Sequence, residues 1–217
     1  MQTKDLFDHY KRLARRADEA FGKVRKAYPS CVNCRPHCSD CCHAVFGVFP
    51  IEAEVLRRRF DALPKKTRRL ALLRADSAER ELRKIEIRMR MSEDDPQLKA
   101  MVLAKTRVSC PLLSETQECI LYPHRPITCR VYGIPTAIEG KGHVCGKGAF
   151  EKGNTYPTFD LDAAYGALYK LSLEYVKRTG TDDPEAASLL LSVSRAIRSP
   201  SRKAEAGARK EDKLDKA

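Results

Sequence analysis

Cys31-Val32-Asn33-Cys34-Arg35-Pro36-His37-Cys38-Ser39-Asp40-Cys41-Cys42-His43 places five thiols within 12 residues, separated by two, three, two and zero others. A spacer of two or three residues lets the chain curl until two sulfurs meet one metal or one cluster. The steps 31, 34, 38 and 41 also mark one face of a helix, on which cysteine would be a small buried hydrophobe. Pro36 lies inside the run and breaks a helix there, and Arg35, His37, Ser39 and Asp40 are poor neighbours in an apolar core. The stretch therefore reads as a ligand loop. Vicinal Cys41 and Cys42 cannot readily aim both sulfurs at one metal; if both ligate, they serve two metals or two clusters.

Four more cysteines, Cys110, Cys119, Cys129 and Cys145, follow a gap of 67 residues without any. To bring both groups to one site, the chain must pack the intervening stretch around it. Nine is an odd number, which full disulfide pairing cannot satisfy. Met1-Gln2-Thr3-Lys4-Asp5 leads into a charged amphipathic pattern, so no secretory signal is expected and the expected address is cytoplasmic. There thiols stay reduced, which favours metal binding over disulfides. No run of about 18 apolar residues exists to span a membrane.

Outward from the cysteines, the pattern is helical. Leu6, Tyr10, Leu13, Ala17, Phe21 and Val24 step by three or four and predict an opening helix over 3–27, which Tyr28-Pro29 interrupts. Ala44–Phe49 is a short apolar run, either strand or extended segment. Pro50 opens a helix ending near Leu63-Pro64. Leu70, Leu73, Leu82, Ile85 and Met89 predict another over 65–91, and Asp94-Asp95-Pro96 caps a further one reaching about Lys105. Residues 107–159 hold 11 of the 23 Gly and Pro, so irregular structure with one hairpin at most is expected. Helices over 160–179 and 183–198 complete the pattern, the second opened by Asp182 and Pro184. The expectation is one mainly α domain over 1–198, its helices packed around an irregular cysteine-rich core, and a disordered charged tail over 199–217.

The second cysteine group is embedded in Cys110-Pro111-Leu112-Leu113, in Cys119-Ile120-Leu121-Tyr122-Pro123-His124-Arg125-Pro126-Ile127-Thr128-Cys129-Arg130, and in Cys145-Gly146. Together with the N-terminal cluster, this resembles the YkgJ-type, CxxCxxCC zinc- or iron-chelating proteins over roughly residues 31–148. The pattern there is a cysteine cluster, Cys-Pro-x-Leu, Cys-x-x-Tyr-x-x-Arg-Pro-x-x-Cys-Arg and a late Cys-Gly. The front departs from it: C-x2-C-x2-C-C becomes C-x3-C-x2-C-C from Cys34, with Cys31 extra, so either Cys31 or Cys34 takes the first role. The resemblance implies about eight metal-ligating cysteines among Cys31, Cys34, Cys38, Cys41, Cys42, Cys110, Cys119, Cys129 and Cys145. It also implies an iron–sulfur or zinc protein, in some members an oxidoreductase, and a relationship to flagellin lysine methylation enzymes.

Arg125 and Arg130 bracket Cys129, where a cation lowers a thiol's pKa and offsets the charge of a thiolate-held cofactor. His37, His43, His124 and His143 lie within five residues of a cysteine and read first as hydrogen-bonding neighbours or exposed side chains. Eight thiolates suit two four-cysteine zinc sites or two iron–sulfur clusters; cysteine-only ligation and irregular spacing favour iron–sulfur, of the 4Fe–4S type. The alternatives are a zinc-stabilised structural module, one that binds nucleic acid or a partner, and, least favoured, a radical SAM-like enzyme. For the last, Cys34-x3-Cys38-x2-Cys41 matches the signature, but Asp40 stands where an aromatic residue is usual and no series of alternating strands and helices follows.

The chain carries +12 net charge, of which residues 57–90, with 13 Lys/Arg against five Asp/Glu, supply +8. This basic segment suits an acidic protein partner or a solvated face more than a nucleic acid, since Phe60 is its one aromatic residue and no groove-reading motif is present. No glycine-rich phosphate loop, nucleophile elbow or HExxH occurs, and no catalytic residue is assigned.

Overall fold

Helix α1 (Thr3–Ala27) realises the opening stripe, with Leu6, Tyr10, Leu13, Ala17 and Val24 buried. The computed structural model describes residues 3–91, 106–180, 183–188 and 190–198. Helix α2 (Pro50–Asp61) begins at Pro50, whose fixed φ and missing N–H suit a first helical position. Helix α3 (Lys65–Met91) follows after a short break. Helices α4 (Ile127–Val131), α5 (Leu161–Arg178), α6 (Pro184–Ser188) and α7 (Val193–Arg198) make seven among the described residues. The expected helix over 94–105 and the tail over 199–217 lie outside the described residues.

Two apolar cores share α2. In the first, Ile51 packs with the α1 stripe, with Ile127 and Val131 of α4, and with Leu161, Leu168 and Val176 of α5. In the second, Ala53, Leu56 and Phe60 from the rest of α2 meet Ala71 and Ala75 of α3, Ala196 and Ile197 of α7, and Leu112 and Leu121 from the irregular region. Cys34 packs against the first core, and Cys110 and Cys119 against the second. The cysteine-bearing loops thus lie where the two cores meet.

Two local features differ from the expected pattern. On α3 the buried side chains are Ala71, Ala75, Ala78 and Ile85, while Leu70 and Leu73 are exposed. Alanines allow the close approach of α7, and the longer leucines are left outside. The expected helix over 183–198 is divided into α6 and α7, because Leu191 exchanges both backbone hydrogen bonds with Val48 (3.0 and 2.8 Å). Ser192 then starts α7 afresh, its hydroxyl accepting from Arg195 N–H. The same pairing makes Ala44–Phe49 an extended segment rather than a strand in a sheet.

The hairpin is present and gains a third member. β1 (Thr136–Ile138) pairs antiparallel with β2 (Lys141–His143) and parallel with β3 (Phe159–Asp160). Glu139 and Gly140 both have positive φ (51° and 70°), as a two-residue hairpin loop matched to strand twist requires.

Candidate metal centre

Each cysteine loop is closed by its own short hydrogen bonds. Cys38 N–H donates to Arg35 carbonyl (3.0 Å) across a turn with Pro36 second and His37, at φ 65°, third. This turn takes up the extra residue between Cys34 and Cys38. Asp40–Cys42 form a 3-10 turn. Three residues per turn separate successive side chains by about 120°, so the vicinal Cys41 and Cys42 leave the backbone in different directions.

The distant segment is laced onto this loop. Cys110 N–H donates to Cys42 carbonyl (2.7 Å) and Val108 N–H to His43 carbonyl (3.0 Å). Leu113 and Cys119 form a bridge that brings Cys110 and Cys119 to the same end of their loop. Ser39 Oγ donates to Gln117 Oε1 (2.9 Å), fixing the loop tip. Cys129 sits in the middle of α4. Cys145 donates its S–H to Asp40 Oδ2 (3.3 Å).

The thiols that sense one another's charge fall into two sets. Cys34, pushed up to about 11 by burial, also feels Cys38, Cys145 and Cys41. Cys42 is raised by its hydrogen bond with Cys41 and by burial, and feels Cys110 and Cys119. Cys129 is raised by burial and by Cys41, Cys110 and Cys119. Burial likewise pushes Cys110 up to about 12 and raises Cys119. Cys41 interacts with both sets and is the one thiol drawn down, to about 7, first by the hydrogen bond from Cys42. Cys34, Cys38 and Cys145 thus lie together, Cys42, Cys110, Cys119 and Cys129 lie together, and Cys41 stands between the two sets. All nine cysteines are free thiols.

Arg125 and Arg130 part company. Arg125 lies over the Tyr122 ring, 3.7 Å from its centroid, and donates from Nε to Tyr122 carbonyl (3.0 Å). Its charge favours the thiolates of Cys34, Cys41, Cys119 and Cys129. Arg130 is buried and donates to Asp18 of α1 (2.5 Å) and to the carbonyls of Pro123 (2.7 Å) and Arg125 (2.8 Å). It pins the motif to α1.

Cys31 stands apart. Its carbonyl accepts from Ala149 N–H (3.0 Å), and the residue lines a cleft with Tyr28 and Tyr156. His37 Nδ1 bonds Thr116 carbonyl (2.9 Å) and His43 Nδ1 bonds Ser39 carbonyl (2.9 Å), while His143 is exposed on β2. His37 and His43 thus act on loop geometry.

Two residues important to the site carry little signal in the sequence. A Cβ on Gly133 would overlap Cys34 Sγ, so only glycine leaves room for that sulfur. Asp40 holds Cys145 and faces Arg107 at 3.6 Å; its place between the cysteines was the available clue.

Among the described residues no three His, Cys, Asp or Glu side chains form a ready-made single-ion site. The donor set nevertheless suits a thiophilic metal. Eight free thiols lie near enough for their charges to interact, so ionising them together is unfavourable, and a bound cationic centre would supply the offsetting charge.

A family model described as "CxxCxxCC: Putative zinc- or iron-chelating domain" matches residues 33–146, just over half of the chain and all eight grouped thiols, beginning after Cys31. Searches of curated proteins and of solved structures returned no match.

Proposed function

We propose, from the premise that the chain belongs to the CxxCxxCC family of zinc- or iron-chelating domains, that its metal is iron held as iron–sulfur groups by two neighbouring four-thiol sets. The observation that supports this reading is the grouping of the thiols on either side of Cys41: Cys34 feels Cys38 and Cys145, whereas Cys42 feels Cys110 and Cys119. Cys34, Cys38, Cys41 and Cys145 would hold one group, and Cys42, Cys110, Cys119 and Cys129 the other. Such groups supply one-electron chemistry when bound.

The chain's own residues set the surroundings. Arg125, steadied on Tyr122, offsets the negative charge of the thiolates. Asp40 orients Cys145, and Gly133 admits Cys34. Four thiols in each set leave no position for a substrate at the metal, which favours electron transfer or support of a modification reaction over the radical SAM-like alternative. The few strands found among the described residues also lack the alternating pattern of that class.

Anaerobic purification followed by iron, zinc and acid-labile sulfide analysis with a visible spectrum tests the reading. Coloured protein with matched iron and sulfide is expected, and Cys145→Ser and Cys129→Ser should each remove about half of both. Colourless protein containing zinc and no sulfide would establish the zinc-stabilised alternative.

A further inference from the structure

Away from the cysteines, α3 and α7 face each other across an open cleft lined by Asp76, Glu79, Arg80, Arg83, Arg195 and Arg198, with Leu191 contributing an apolar wall. The arginines form two pairs, each three residues apart on its own helix and so on one helical face. The two carboxylates are already engaged. Asp76 pairs with Arg198; Glu79 accepts from Ser192 Oγ (2.5 Å) and pairs with Arg195 (3.4 Å). These contacts hold α7 against α3 and leave Arg80 and Arg83, both exposed, with no salt bridge to a carboxylate among the described residues.

The cleft therefore has an excess of two guanidinium charges on a preformed frame. On the same side of α3, Leu73 is 58% exposed two turns before Arg80, and Ile87 is 57% exposed about one turn after Arg83. We propose that this cleft and the adjoining face of α3 bind a carboxylate-rich, amphipathic segment of a partner protein. Its acidic side chains would meet Arg80 and Arg83, and its apolar ones Leu73 and Ile87. Protein interfaces combine an apolar centre with arginine in this way. A nucleic-acid backbone would use the arginines and leave Leu73 and Ile87 without a role. The site shares no residue with the thiol sets, so it is independent of the metal reading.

Fluorescence anisotropy of the full chain, as purified with its metal, can test this with two labelled probes: a helical peptide bearing Glu and Leu side by side on one face, and a short DNA duplex. The peptide is expected to bind at low ionic strength. Arg80→Glu with Arg83→Glu should weaken it at least about tenfold, with metal content and circular dichroism unchanged. Leu73→Ser with Ile87→Ser should weaken the peptide and not the duplex. Failure of the peptide to bind, or binding indifferent to the arginine reversals, would overturn the proposal. So would tighter duplex binding that ignores the Leu73 and Ile87 changes, an outcome that makes the cleft a nucleic-acid site.

Discussion

Cys41 and Cys42 are neighbours in sequence with opposite acidities: a hydrogen bond draws Cys41 down to about 7 and pushes Cys42 up. The 3-10 turn that carries both cysteines was not legible in the sequence. Cys31 and Cys34 also differ in placement. Cys34 meets the other thiols through the space above Gly133, whereas Cys31 lies beside Tyr28 and Tyr156. Cys31→Ser should leave metal stoichiometry unchanged, and Gly133→Ala should lower it by displacing Cys34; metal analysis of the two purified variants distinguishes them. Glu52 offers a second test at this scale. Burial pushes its carboxyl up to about 7, against the N–H groups of Ile127 and Phe49 that bond its two oxygens (2.9 and 3.2 Å). The folded state thus holds this proton more tightly than the unfolded state, where the ordinary value is 4.5. Its stabilising contribution is complete below that ordinary value and is lost as pH rises towards 7, a loss on the order of 2–3 kcal/mol. Urea denaturation at about pH 5 and about pH 8 should show the fall, and Glu52→Gln should flatten it; a wild-type stability that rises over that interval would contradict the assignment.

At the scale of elements, hydrophobic period and proline located α1, α2, α3 and α5 closely, because each has a long face to bury. The same rule failed on α3 in detail. It weighed leucines above alanines, and the close contact with α7 selected the alanines. The break between α6 and α7 was hidden because it depends on Val48, distant in sequence, offering a backbone partner to Leu191. Ser192 was the one local clue to it. Replacing Ser192 by alanine removes both the cap of α7 and the bond to Glu79, and thermal unfolding should report a loss of about 1–2 kcal/mol. Arg130 shows the limit of reading charge from sequence. Beside Cys129 it looked like a partner for the metal centre, yet its three hydrogen bonds run to Asp18, Pro123 and Arg125. Arg130→Ala strands those acceptors and should cost about 3 kcal/mol in a denaturation experiment. It should also loosen Arg125, whose carbonyl Arg130 holds.

Across the whole molecule, stability is unevenly distributed. The first core rests on the long helices α1 and α5, which bury apolar side chains against each other. The loops over 31–46 and 107–126 have little regular structure, and ordering each residue costs about 1–2 kcal/mol. A few hydrogen bonds and the packing of Leu112 and Leu121 on α2 offset only part of that cost, so much of their order should come from the metal, as where metal binding and folding are coupled. Removing metal with a chelator under reducing conditions should therefore release amide protection over 31–46 and 107–126 first. The second core should then weaken through the loss of Leu112 and Leu121, while α1 and α5 stay protected. Hydrogen exchange read by mass spectrometry, with and without metal, resolves these segments. Because α2 contributes Ile51 to one core and Phe60 to the other, its exchange reports how strongly the cores are coupled. Protection of α2 that follows α1 would show the first core standing alone; simultaneous loss across α1, α2 and α5 would show that the metal supports both cores and would overturn this division.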